Sequence, residues 1–144
     1  MMKHILIHLK SGELLADESV SATSVVLEEY PDNIVQVRVG AGTNAGNYWF
    51  YDIENGQVSD TFSNISAIKD RIIAYMDFVD DDVRLIVRDM FDEEIYYKDF
   101  DINFSNLVIL ESILLDVDFL DNDRIQVKYL SGTEREEVTE TIEL

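Results

Sequence analysis

The chain has 144 residues, 47% of them apolar, and thirty acidic against eleven basic side chains give it a formal charge of −19. The apolar share is enough for one folded domain of ordinary size. The acidity argues against binding nucleic-acid phosphates or anionic membranes, both of which need clustered Lys and Arg. With no cysteine in the chain, disulfides, thiolate metal sites and cysteine nucleophiles are excluded as well.

The first predicted element is a hairpin over 4–17, made of an alternating run from His4 to Leu9, a Ser11-Gly12 turn and Leu14 to Asp17. His4 and His8 fall on one face of this strand, about 13 Å apart at roughly 3.3 Å per residue. That is too far for one metal ion. The apolar run is too short for a signal sequence or a membrane span. If Met1 is the natural start, a cytoplasmic location is expected; a removed leader would make the protein an exported one.

A first unit is expected over about 22–62, with strands at 22–30, 34–53 and 57–62. Val35, Val37 and Val39 alternate with Gln36 and Arg38, so they share one face. Pro31-Asp32-Asn33 and Asn55-Gly56 mark turns, the second pair being a strong hairpin signal because its turn type needs positive φ. The 34–53 strand is read as carrying a glycine-rich insertion from Gly40 to Gly46. Its spacing, Gly40-x-Gly42-x-x-x-Gly46, does not fit a phosphate loop, and aromatic Tyr48-Trp49-Phe50-Tyr51 follows instead of a helix start. A loop on a rigid scaffold is a natural binding element. Gly40, Gly42, Asn44, Gly46 and Trp49 are therefore the interaction candidates.

A second unit is expected over about 65–100, with strands at 71–79, 83–90 and 94–100. A third is expected over about 107–143, with strands at 112–120, 124–130 and 136–143. Short inner strands at 66–69 and 108–111 precede them. The two units resemble each other in sequence: 71–88 matches 112–128, with Asp77/Asp118, Phe78/Phe119, Asp80/Asp121, Arg84/Arg124 and Val87/Val127 in register when one residue is dropped in the acidic turn. A period of about 40 residues marks stacked supersecondary units.

The expected fold is all-β, a single repeat-built domain over 1–144 of antiparallel hairpin and meander repeats of about 40 residues, propeller-blade-like in layout. An α+β alternative places a helix over 65–76 behind a Ser63-Asn64 cap, and another after Asn106. It rests on Ile65, Ile68, Ile72 and Met76 lying along one helical face. Three and a half units are too few to close a ring, so open sheet edges and a homo-oligomer are expected.

Chemistry is sparse. Asp116, Asp118, Asp121 and Asp123 form the densest regular set of carboxylates. As a metal site they lack the glycine and terminal bidentate Glu of an EF-hand loop, and tight polar turns explain them equally well. Cross-strand pairs are expected between Asp77 or Asp118 and the arginines of the next strand. No cofactor is expected. The leading functional expectation is a non-catalytic protein-binding module with a protein partner, of basic charge if the field matters. The alternatives are an acidic inhibitor or nucleic-acid mimic that binds a basic partner, and a hydrolase built on a carboxylate pair.

Overall fold

The structure, a computed structural model, describes residues 2–22, 24–40, 46–63, 65–80, 82–102, 104 and 114–144. All regular structure among them is β, arranged as antiparallel hairpins and meanders in sheets of two, five, four and three strands. The chain divides into two compact units: Met1–Asn64 with Met90–Asp92, and Ile65–Asp89 with Glu93–Leu144.

The first unit opens with β1 (Met2–His8) and β2 (Leu14–Ser21), paired from Met2↔Ser21 to His8↔Leu14 with an irregularity after Ile7. Gly12 turns the chain at a φ of 96°, a value glycine adopts without steric cost. The next sheet contains β3 (Ser24–Tyr30), β4 (Ile34–Gly40), β5 (Gly46–Asp52), β6 (Gln57–Val58) and β7 (Phe62–Ser63). Val35, Val37 and Val39 do share a face. With Tyr51 they pack against Ile5, Ile7 and Ala22 to form one core. The other face of the sheet is buried too, at Ile34, Gln36, Phe50, Asp52 and Phe62.

The 34–53 segment is two strands, not one with an insertion. β4 and β5 pair antiparallel from Ile34↔Asp52 to Gly40↔Gly46. Apolar alternation reports which face a residue takes and is blind to chain reversal, so a hairpin with glycines on both sides of its turn reads as a continuous strand. Across β5, the edge is divided. β6 pairs with Tyr51 and Asp52, β7 with Asn47 and Tyr48. Between them Ser59 takes over the ladder: its Oγ accepts from Phe50 N at 2.8 Å and its N–H donates to Phe50 O at 2.9 Å.

The second unit holds a four-stranded sheet of β8 (Ile65–Lys69), β9 (Ile72–Val79), β10 (Asp82–Asp89) and β11 (Tyr97–Phe100) in consecutive antiparallel order. A three-stranded sheet follows with β12 (Leu114–Phe119), β13 (Arg124–Ser131) and β14 (Glu136–Glu143). A shared core joins Ala74, Leu85 and Val87 of the first sheet to Val117, Ile125, Val127 and Tyr129 of the second, with Ile102 between.

The helix over 65–76 does not form. The chain reverses at Asp70, which takes a φ of 55°, and Lys69 pairs with Ile72. Repeated isoleucines favour the pleated arrangement, since β-branching restricts χ1 in a helix. Ile73, Ala74 and Tyr75 are all buried, so both faces of β9 are covered and no face period survives to be read. The corresponding helix after Asn106 falls mostly on 106–113, outside the described residues.

The matched hairpins of the second unit align differently in space than in sequence. Phe78 pairs with Val83 and Phe119 with Ile125, so the later turn is longer by one residue where the sequence alignment drops one. The discrepancy is a two-residue slip. Such a slip keeps every side chain on its face, whereas a one-residue slip inverts them. Leu85 and Ile125 are both buried, and the apolar pattern therefore suits either alignment.

Candidate functional site

The carboxylate set is spread out by this register. Asp116 and Asp118 stand on one face of β12, opposite Lys128 and Gln126. Asp121 occupies the turn, where Arg124 donates to its Oδ2 from Nε at 2.9 Å and from Nη2 at 2.8 Å, and Asp123 N donates to its Oδ1 at 2.9 Å. These donors, the Arg124 guanidinium first, hold the Asp121 carboxyl below its ordinary range. The Asp123 carbonyl accepts from Leu144 N at 2.7 Å. Among the described residues no three His, Asp or Glu side chains converge on a point that a cation would occupy.

The glycine-rich segment has its ends placed. Gly40 and Gly46 pair across the β4–β5 hairpin, and a Cβ on Gly40 would stand 2.7 Å from Ser24 Oγ on the neighbouring strand. Gly40 thus permits a close approach of β3. Gly42 and Asn44 lie outside the described residues. Trp49 faces inward: its Nε1 donates to Tyr51 Oη at 2.8 Å, and its ring packs on the first core. Burial pushes the Tyr51 hydroxyl up despite that bond.

Sequence reasoning missed Asp52. Its side chain, 1% exposed, caps the Ile53–Gly56 turn: Oδ1 accepts from Glu54 N at 3.1 Å and Asn55 N at 3.0 Å, and Oδ2 from Asn55 Nδ2 at 3.0 Å. The signal was the Asp three positions before Asn-Gly, an Asx-turn pattern. Gln36 was missed as well. Its Oε1 is buried without a hydrogen-bond partner.

The histidines do lie on the exposed face of β1, and His4 Nε2 contacts Asp17 Oδ1 across the hairpin. The arginines find partners other than those expected. Arg84 sits opposite Asp77 but binds Asp99 on the following strand at 2.7 Å, while Asp77 Oδ1 accepts from Phe78 N at 2.8 Å. Lys128 pairs with Glu137 at 2.8 Å. Arg88 is buried, with Nη1 3.6 Å from Glu93 and Nε donating to Asp89 O at 3.0 Å. Arg71 reaches Asp89 at 3.8 Å. Every one of these cations is held by a carboxylate of its own unit.

Two surface features remain. A cleft of about 250 Å³ in the second unit is lined by Ile72, Tyr96, Phe119 and Leu144, with Lys69 and Asn122 at its polar margin. In the first unit, β3 ends its sheet, and Val26, Leu27, Glu28 and Glu29 are exposed in succession. Compared with known proteins, the chain matches no family model, no curated protein and no solved structure.

Proposed function

We propose that this chain is a non-catalytic protein-interaction module, built on blade-like units of about 40 residues, whose partner is a basic protein. The observation that supports this reading is the distribution of charge. Arg71, Arg84, Arg88, Arg124 and Lys128 are each engaged by carboxylates within the unit, whereas the excess acid is displayed on strand edges and turns. Glu136, Glu140 and Glu143 line the outer strand β14, and Glu18 stands exposed on β2. A field of one sign speeds encounter with an oppositely charged surface and fades as salt screens it.

The test is affinity capture from the native host at about 50 mM and about 500 mM salt, a range over which the screening length falls from about 14 Å to about 4 Å. A basic protein retained at the lower concentration, released at the higher, and binding again as purified material is the expected outcome. Capture of acidic or neutral proteins alone, or of none, would overturn the reading. Competition by duplex DNA would identify the partner's surface as a nucleic-acid groove.

A further inference from the structure

Among the described residues, the edges of the sheets differ in how they are guarded. The exposed positions of β14 are Glu and Thr throughout, and charge on an edge discourages strand addition. β11 runs for four residues only. β6 and β7 have two residues each, and β2 exposes Asp17, Glu18 and Ser19 in succession. β1 exposes Leu6 singly between buried Ile5 and Ile7, β8 exposes Ser66 alone, and β12 has Asp116 and Asp118 among its exposed positions. β3 differs from all of these, with Val26 45% and Leu27 53% exposed directly before the exposed pair Glu28-Glu29. β3 ends its sheet, so its outer side faces no ladder partner of that sheet, and its first half has no charged side chain to discourage a further strand.

We infer that β3 is a strand-addition site for an extended segment of a basic partner carrying two adjacent basic residues and two adjacent apolar ones. This rests on the reading of the chain as an interaction module. The pattern follows from the register. Leu27 and Glu29 point to the face of Val37 and Val35, while Val26 and Glu28 point to the face of Arg38 and Gln36. Each face thus offers one apolar and one acidic position, and successive residues of an incoming strand alternate between faces. An antiparallel segment meets Glu29, Glu28, Leu27 and Val26 in that order and reads basic-basic-apolar-apolar. A parallel one reads apolar-apolar-basic-basic. Main-chain bonds supply the affinity in this mode and side-chain pairing the selectivity. A second copy of the chain is a poorer occupant, since it brings the same Glu28-Glu29 pair and a further charge of −19.

Two end-blocked peptides of equal composition test this by amide-shift titration: Thr-Lys-Lys-Val-Val-Thr and Thr-Lys-Val-Lys-Val-Thr. The first should shift amides of 24–30 and leave those of β14 in place. It should bind about five-fold more tightly than the second, which loses charge and apolar pairing at two of the four positions. V26K, at an exposed position, should weaken binding of the first peptide several-fold, by losing one apolar pair and adding a like charge, while leaving the rest of the spectrum intact. The double variant Glu28→Lys, Glu29→Lys should invert the preference towards Thr-Asp-Asp-Val-Val-Thr, a gain of binding that misfolding would not produce. Equal affinity for the two lysine peptides, or shifts centred elsewhere, would overturn the assignment. So would concentration-dependent shifts in β3 without peptide, which would make a second copy the occupant. A salt-sensitive basic partner that V26K binds with undiminished affinity would sink this site and leave the module reading standing. If wild type binds no basic protein, both fall.

Discussion

Asp52 concentrates more of the first unit's order than any other polar side chain described above. Removing it takes the acceptor from the N–H groups of Glu54 and Asn55 and from the Asn55 side chain in a part-buried turn, and each such loss costs about 0.5–1.5 kcal/mol. Asp52→Ala should therefore destabilise the chain by about 2–4 kcal/mol in urea denaturation. Asp52→Asn, which keeps one acceptor, should cost less. Tyr129 carries a pH signature. Burial, then the bond it donates to Glu140 Oε2 at 2.8 Å, raise its pKa from 10.0 to about 12. Folding favours the protonated phenol, so this stability is complete below pH 10 and is lost as pH rises towards 12. Unfolding midpoints measured across that window should fall, and less steeply in Tyr129→Phe, although other raised tyrosines, Tyr75 among them, add to the slope. Asn55-Gly56 announces its turn in the sequence. The burial of Asp52 is not announced, because it depends on what the far face of β4 and β5 meets.

At the level of strands and hairpins, patterning identified faces well and connections poorly. Val35, Val37 and Val39 took one side, as did Ile125, Val127 and Tyr129, because alternation is set by the pleat itself. What failed was the reversal between Gly40 and Gly46 and the length of the Asp121–Asp123 turn, while strand over helix in β8 and β9 held. Each failure is decided by two or three backbone angles that apolar spacing does not encode. The ion pairs failed for a related reason: a strand has two neighbours, and Arg84 chose Asp99 over Asp77. Burial separates the energetic weights of the two partners in the β10–β11 hairpin. The Arg88 side chain is 7% exposed and that of Glu93 is 63%. Arg88→Ala should cost about 3–5 kcal/mol, since it opens a buried polar network, and Glu93→Ala under about 1 kcal/mol. Similar losses for both would mean the pair acts as a unit.

Over the whole molecule, the net charge of −19 was the most legible property and has a direct physical consequence. Self-repulsion opposes the compact state, and added salt screens it. Raising ionic strength from about 10 mM to about 150 mM should raise the melting temperature by a few degrees. A fall would instead mean that the internal ion pairs outweigh the repulsion. Location of function was the least legible property: the candidates in the 40–49 segment rest on glycine spacing and loop position, and pattern alone does not distinguish the exposed apolar residues of β3 from ordinary strand residues. The divided edge at Ser59 bears on how assemblies grow. Extending a sheet indefinitely requires each added subunit to be receptive at both ends, as a polymer requires bifunctional monomers. Here one end is broken into two-residue stretches and partly satisfied by a serine hydroxyl. On the β3 proposal this sheet would act as a monofunctional monomer: a strand that joins it at β3 would end the growth of this sheet.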